Sequence, residues 1–71
     1  MNNQELVFVF FCVESIATKL GKRARDVYDT LSKSGLIDSY IVPSYDVLHT
    51  QGKDYIVNDI LSVAQEKGIK L

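Results

Sequence analysis

The sequence predicts an all-α fold, a small bundle of about four helices over residues 3–20, 23–33, 45–50 and 53–67. In the longer segments apolar residues recur at spacings of three and four, which is the period of one helix face. A glycine follows each of the three longest segments, and glycine is the residue that most often closes a helix. No segment shows the strict apolar and polar alternation that is typical of a half-buried strand.

The first helix, from about residue 3 to residue 20, has signals at both ends. Asn2 can cap its start, and Glu5 lies three residues later, as in a capping box. Gly21 suits the left-handed residue that follows a helix. The predicted buried stripe repeats at helical spacing: Leu6, Val9, Phe10, Val13, Ile16, Ala17 and Leu20.

The second helix, from about residue 23 to residue 33, has a shorter apolar stripe and ends before Gly35. Its predicted inner residues are Ala24, Val27, Tyr28 and Leu31. Residues 36–43 are predicted to form an ordered connection with a turn of helix at its start. Pro43 favours an extended backbone at Val42, because the proline ring clashes with a helical residue before it.

Two further helices complete the predicted bundle. Ser44 can cap a short helix over residues 45–50, which Gly52 stops. The last helix, over residues 53–67, ends with Lys67 beside the negative end of the helix dipole, and Gly68 closes it. Its apolar stripe and flanking apolar residues are Ile56, Ile60, Val63 and Ala64, with Tyr55, Val57 and Leu61 at the sides.

Length and composition exclude several classes of protein. The chain has 71 residues, 46% of them hydrophobic, and a formal net charge of -1, which predicts one folded domain over residues 1–71. A single Cys12 and a single His49 exclude a disulfide scaffold and a structural zinc site. The longest apolar run, Leu6–Val13, is less than half the roughly 18 residues of a membrane helix. We therefore expect a cytoplasmic protein without a metal, a cofactor or a membrane partner.

The first helix is apolar nearly all round, since Phe8, Phe11 and Cys12 lie away from the predicted stripe. Such a helix is covered on most sides in a stable protein. One interpretation makes it the central element of the bundle. The other leaves the excess apolar surface for a protein partner or a homodimer. The predicted partner-binding residues are Phe8 and Phe11 in this helix, and Tyr45, Asp46, His49 and Gln51 further along the chain.

The residues that could carry catalysis lack the neighbouring groups that a catalytic site needs. Cys12 lies in an apolar run with no cation within a helical turn, so it is predicted to be a small buried hydrophobic residue. Asp46 and His49 are three residues apart and would share a helix face, where the carboxylate could orient the imidazole. No glycine elbow or oxyanion motif accompanies them. The sequence therefore predicts no enzyme and no catalytic residues.

A helix-turn-helix is an alternative interpretation of residues 16–33. In that motif a small residue, a glycine and an apolar anchor follow one another at fixed distances. Ala17, Gly21 and Val27 have the matching spacing. The cations that would meet DNA are Lys22, Arg23 and Arg25. Asp26 and Asp29 on the same helix, and a pI near 5.6, are unlike the basic face of a DNA-binding domain. DNA binding is therefore the less favoured alternative.

Several short motifs occur together in this chain. They are Phe11-Cys12-Val13-Glu14, Gly35-Leu36-Ile37, Tyr40-Ile41, the block Tyr45-Asp46-Val47-Leu48-His49-Thr50-Gln51-Gly52, and Tyr55-Ile56-Val57 with Asp59-Ile60. As a set they resemble a family of short bacterial proteins that is known only as a domain of unknown function. The resemblance implies no activity and no catalytic residues. Members of that family are often encoded beside other small proteins, some similar to ADP-ribosyltransferases, which implies an accessory or antitoxin-like role.

Overall fold

The computed structural model describes residues 1–71 and contains only helices and turns. The long helices are α1 (Asn3–Leu20), α2 (Ala24–Lys33) and α4 (Lys53–Glu66), and α3 (Tyr45–Leu48) is a single turn. A π-helical turn, Ile37–Ile41, lies between α2 and α3. The extents are 25 × 22 × 21 Å, and the predicted all-α bundle is confirmed.

The ends of α1 are those that the sequence predicts. The Asn2 side chain accepts a hydrogen bond from the Glu5 N–H at 2.8 Å, and the Glu5 carboxylate accepts one from the Asn2 N–H at 2.9 Å. This reciprocal pair satisfies two of the free N–H groups at the start of the helix. Gly21 has φ 65°, a conformation that costs little for a residue without a Cβ.

One hydrophobic core joins all the elements, and α1 contributes more buried residues to it than any other element. The buried apolar residues are Phe8, Val9, Cys12, Val13, Ile16 and Ala17 of α1, Val27 and Leu31 of α2, Leu36, Ile37 and Ile41, Leu48 of α3, and Ile56, Val57, Ile60 and Ala64 of α4. The centre of the domain is therefore the inner face of α1.

The predicted stripe of α1 is partly wrong. Phe8 is only 7% exposed, whereas Phe10 is 52% exposed, and Leu6 and Leu20 are also exposed. Phe8 is covered because it meets the ring of Tyr45 edge to face, with centroids 5.3 Å apart. The buried face therefore lies further round the helix, toward Phe8 and Cys12, than the predicted stripe does.

The segment after α2 is more helical than the sequence predicts. Val42 was expected to be extended, but it has φ -67° and ψ -49°. Its N–H donates to the Ile37 carbonyl at 2.9 Å, and the buried side chains of Ile37 and Ile41 hold this turn against the core. These interactions outweigh the preference imposed by Pro43. Within α2, Tyr28 is exposed rather than part of the inner face.

The two C-terminal helices differ from their predicted forms in small ways. Ser44 makes no side-chain capping bond, since its backbone is not extended, and α3 ends at Leu48 rather than at residue 50. In α4, Val57 is buried and Val63 only half-buried, and Gly68 closes the helix with φ 73°. None of the helices combines the length and the hydropathy of a segment that crosses a membrane.

Candidate interaction surface

The N-terminal half of α1 exposes a continuous set of large apolar side chains, which we call the α1 patch. Its members are Met1, Leu6, Val7, Phe10 and Phe11. Val7 is 67% exposed, more than any other residue of the set. No residue between Leu6 and Val13 is charged. This part of the surface therefore lacks the polar side chains that usually cover an outward helix face.

Helix geometry places the patch opposite the core. Val7, Phe10, Phe11 and Glu14 are separated by three or four residues, so they form one ridge along the outside of α1. The buried residues of the same turns are on the other side. The apolar part of the ridge ends at Glu14, which is exposed.

A groove extends the patch toward α2. Phe10 and Val13 form one wall and Ala24 and Tyr28 form the other, around a volume of about 220 Å³. Glu14 and Arg25 stand at its edge. The exposed Tyr28, which the sequence assigns to the core, therefore lines the continuation of the apolar surface.

Four rings connect α1 to α3. Phe8 and Phe11 lie with centroids 6.5 Å apart, and Tyr45 stacks on His49 at 4.3 Å with the planes 5° apart. The edge-to-face contact of Phe8 with Tyr45 joins the two pairs. Phe8 is only 7% exposed among the other three rings, so little of its side chain is available for the partner contact that the sequence predicts for it.

The hydrogen bonds of His49 differ from the expected pairing with Asp46. Nδ1 of His49 donates to the Tyr45 carbonyl at 2.7 Å, and the His49 backbone N–H donates to the same oxygen at 2.9 Å. A carbonyl oxygen can only accept, so Nδ1 carries a proton and Nε2 is the free nitrogen of the neutral ring. The Tyr45 carbonyl therefore takes the orienting role that the sequence assigns to Asp46.

The other residues of the Tyr45–Gly52 block are on the surface. Asp46, His49 and Gln51 are exposed, and the Thr50 hydroxyl donates to the Val47 carbonyl at 2.8 Å. The block is thus a turn of helix with local hydrogen bonds, and Tyr45 anchors it to Phe8. It lies next to the α1 patch, since Phe8 and Phe11 are in contact.

Cys12 is completely buried in the inner face of α1. Burial disfavours the thiolate and raises the pKa of Cys12 from 9.0 to about 12. The thiol is a small buried hydrophobic group, as the sequence predicts.

The cations of the predicted DNA-binding helix are exposed around the turn between α1 and α2. Lys22, Arg23 and Arg25 all face solvent, while Ala17 and Val27 pack in the core. Carboxylates interrupt this surface: Asp26 and Asp29 are exposed on α2, and Asp26 lines the same shallow pocket as Lys22 and Lys70.

Sequence reasoning missed a pair that joins the π-helical turn to α4. The Tyr40 hydroxyl donates a hydrogen bond to the Asp59 carboxylate. That bond, with burial and the nearby negative charge, raises the pKa of Tyr40 to about 12. The two residues are far apart in the chain, and no local pattern relates them. Similarly, the Lys19 ammonium donates to the Asn58 side chain at 2.7 Å and joins α1 to α4.

Comparison with known families matches residues 7–67 to a protein of unknown function, DUF3791. The chain belongs to the DUF3791 family. No curated protein and no solved structure matches it. The family membership agrees with the resemblance inferred from the sequence.

The DUF3791 match includes most of the α1 patch and the whole Tyr45–Gly52 block, the two parts of the candidate surface. Val7, Phe10 and Phe11 lie within the matched residues, as does the whole Tyr45–Gly52 block. Met1 and Leu6, which complete the α1 patch, lie just before them. The exposed aromatic residues of this DUF3791 chain are therefore within the family domain itself.

Proposed function

We propose that this DUF3791 chain is a non-enzymatic protein-interaction module that binds through the α1 patch. The observation that carries the proposal is the exposure of Val7, Phe10 and Phe11 on a helix segment without a charged residue. Contiguous exposed apolar residues of this kind mark interaction sites in proteins of ordinary composition. A bacterial accessory or antitoxin-like role is consistent with such a module.

Burial of this surface would release substantial free energy. At the observed exposures, Phe10 and Phe11 leave on the order of 200 Å² of ring surface in water. Covering that area is worth about 5 kcal/mol at ~25 cal/mol per Å², before the entropy lost on association is subtracted. Two phenyl rings in one patch are also typical anchors of protein interfaces.

The Tyr45–Gly52 block supplies a polar border to the proposed contact. Asp46, His49 and Gln51 are exposed beside the aromatic cluster, where they can form hydrogen bonds with a partner. His49 presents Nε2 because Nδ1 is bonded to Tyr45. A catalytic pair would need the Asp46 carboxylate to hold the His49 ring, but the Tyr45 carbonyl holds it instead. This supports a binding role over an enzymatic one.

Co-purification from the native host with mass spectrometry tests this function. Val7→Glu places a charge in the patch, and Tyr55→Glu places the same charge at a residue of α4 that is 56% exposed and lies outside both the patch and the Tyr45–Gly52 block. We expect the wild-type chain and Tyr55→Glu to retain the same bound protein, and Val7→Glu to lose it. Equal recovery with Val7→Glu would contradict the use of this surface.

A second candidate is DNA binding through α2, which the joint exposure of Lys22, Arg23 and Arg25 favours. It predicts a salt-sensitive shift of duplex DNA that weakens when the three cations are replaced by alanine. Val7→Glu would weaken that shift less than the triple replacement does, because Val7 lies on the outside of α1 and is not one of the three cations. Absence of a shift at low salt would eliminate this candidate.

A further inference from the structure

We infer that the partner of the α1 patch is a second copy of this chain, which pairs its own α1 antiparallel across a two-fold axis. The inference rests on the proposed function and specifies the occupant of the same surface. It follows from the order of apolar and charged residues along the ridge, from charge complementarity at its ends, and from the available area.

The apolar residues of the ridge are complementary to themselves when the helices run in opposite directions. With the axis beside Phe8 and Val9, Val7 of one copy lies opposite the partner's Phe10. Leu6 then lies at the height of the partner's Phe11, although toward the other side of the interface, since five residues turn a helix by about 140°. Apolar side chains therefore occupy both helices at each of these heights.

Charge selects the antiparallel direction. In this register Glu14 lies opposite the partner's Asn3, at the first turn of the partner's α1. Free N–H groups make that end of a helix positive, so a carboxylate is stabilised there. Parallel helices would instead place Glu14 beside the partner's Glu14. The Glu5 carboxylate does not oppose this contact directly, because it is bonded back to Asn2 on another side of the helix.

The area is sufficient for a reversible dimer. The α1 patch exposes on the order of 500 Å², as judged from side chains of about 200 Å² for a full aromatic residue. Two copies that cover the whole patch, including Met1 just before α1, would bury about 1,000 Å² before border residues are added, which is the lower limit for a specific interface. The net charge of -1 per copy adds little repulsion. An interface of this size is typical of weak, reversible association.

Sedimentation equilibrium on the purified 71-residue chain tests the pairing. We expect a concentration-dependent monomer–dimer equilibrium, with Val7→Glu at least about tenfold weaker because it places two carboxylates inside an apolar interface. Tyr55→Glu, the control at an exposed residue of α4 outside the patch and its border, is expected to dimerise like the wild type. A strict monomer at high micromolar concentration, or a dimer unaffected by Val7→Glu, would overturn the inference. Circular dichroism would establish that each variant is folded.

Disulfide trapping tests the direction. Asn3→Cys and Glu14→Cys are exposed substitutions, and the native Cys12 is buried, so the wild-type chain is the unlinked control. When the two variants are mixed and oxidised, antiparallel pairing yields chiefly the mixed disulfide. Chiefly homodimeric disulfides of each variant would show parallel helices and overturn the proposed register.

Failure of this inference and failure of the proposed function have different signatures. A monomeric chain that loses a host protein specifically in Val7→Glu would eliminate the homodimer and leave the interaction module intact. A monomeric chain whose bound proteins are the same in Val7→Glu would eliminate both.

Discussion

The imidazole of His49 lies flat on the phenol ring of Tyr45, with centroids 4.3 Å apart, and its Nδ1 donates to the Tyr45 carbonyl at 2.7 Å. Stacking therefore sets the orientation of the ring plane, and the hydrogen bond places a proton on Nδ1. The free Nε2 is left as an acceptor at the border of the α1 patch.

The neutral ring of His49 is expected to be the Nδ1–H tautomer, because only a protonated Nδ1 can donate to the carbonyl. Nitrogen-15 chemical shifts of the imidazole in long-range correlation spectra distinguish the two tautomers. The same chain unfolded in urea is the reference, since it lacks the Tyr45 contact. Observation of the Nε2–H form in the folded chain would contradict this hydrogen bond.

Replacement of Tyr40 by phenylalanine is expected to lower the free energy of unfolding by about 1 kcal/mol at neutral pH, since the half-buried Asp59 loses a donor. Tyr55→Phe is the control, because Tyr55 is an exposed residue of α4. Urea denaturation measures both variants. An equal effect of the two substitutions would argue against the Tyr40–Asp59 bond.

The same bond predicts a pH dependence. The pKa of Tyr40 is about 12 in the folded chain against an ordinary value of 10.0, so between these values the unfolded chain loses a proton that the folded chain keeps. The stabilisation by Tyr40 is therefore complete below about pH 10 and is lost as the pH rises toward 12. The stability difference between the wild type and Tyr40→Phe should shrink over this interval. The raised pKa of Cys12 acts in the same direction but is common to both proteins and cancels in the comparison.

Asn2→Ala is expected to destabilise the chain by about 1 kcal/mol, because it removes the acceptor for the Glu5 N–H at the start of α1. Asn3→Ala changes an identical side chain one residue later, outside the capping box, and should cost about 0.5 kcal/mol or less. Thermal or urea unfolding compares the two variants. Equal losses would indicate that the capping box contributes little.

Cys12 is expected to resist thiol reagents in the folded chain, since it is fully buried and its pKa is about 12. Reaction with Ellman's reagent should be slow under native conditions and rapid in concentrated urea. A Ser62→Cys variant supplies the positive control, because it adds one exposed thiol on α4, outside the α1 patch, that reacts at once. Rapid reaction of both thiols would mean that α1 opens readily.

Local signals account for what the sequence predicts correctly in α1. Asn2, Glu5 and Gly21 act on the backbone within a few residues, so they define the ends of the helix without reference to the rest of the chain. The buried face depends on tertiary contacts. Apolar residues occur on several sides of α1, and their period does not decide that Tyr45 covers Phe8 while Phe10 remains exposed.

Two other differences have the same origin. Pro43 favours an extended Val42, but burial of Ile37 and Ile41 holds the π-helical turn. Asp46 is at the right spacing to orient His49, but the Tyr45 carbonyl is the actual acceptor. The candidate surface was predicted in its general location on α1 and in the Tyr45–Gly52 block, whereas the roles of Phe8 and Phe10 required the packing of the other helices.

Helix α1 supplies seven of the 17 buried residues and also carries the exposed patch on its opposite side. Occupancy of the outside of this helix and integrity of the fold are therefore thermodynamically linked, since a ligand specific for the native chain shifts the unfolding equilibrium by mass action. An unoccupied copy would visit protease-sensitive open forms more often than a bound one. The cellular lifetime of the chain would then rise with the concentration of the partner that binds α1.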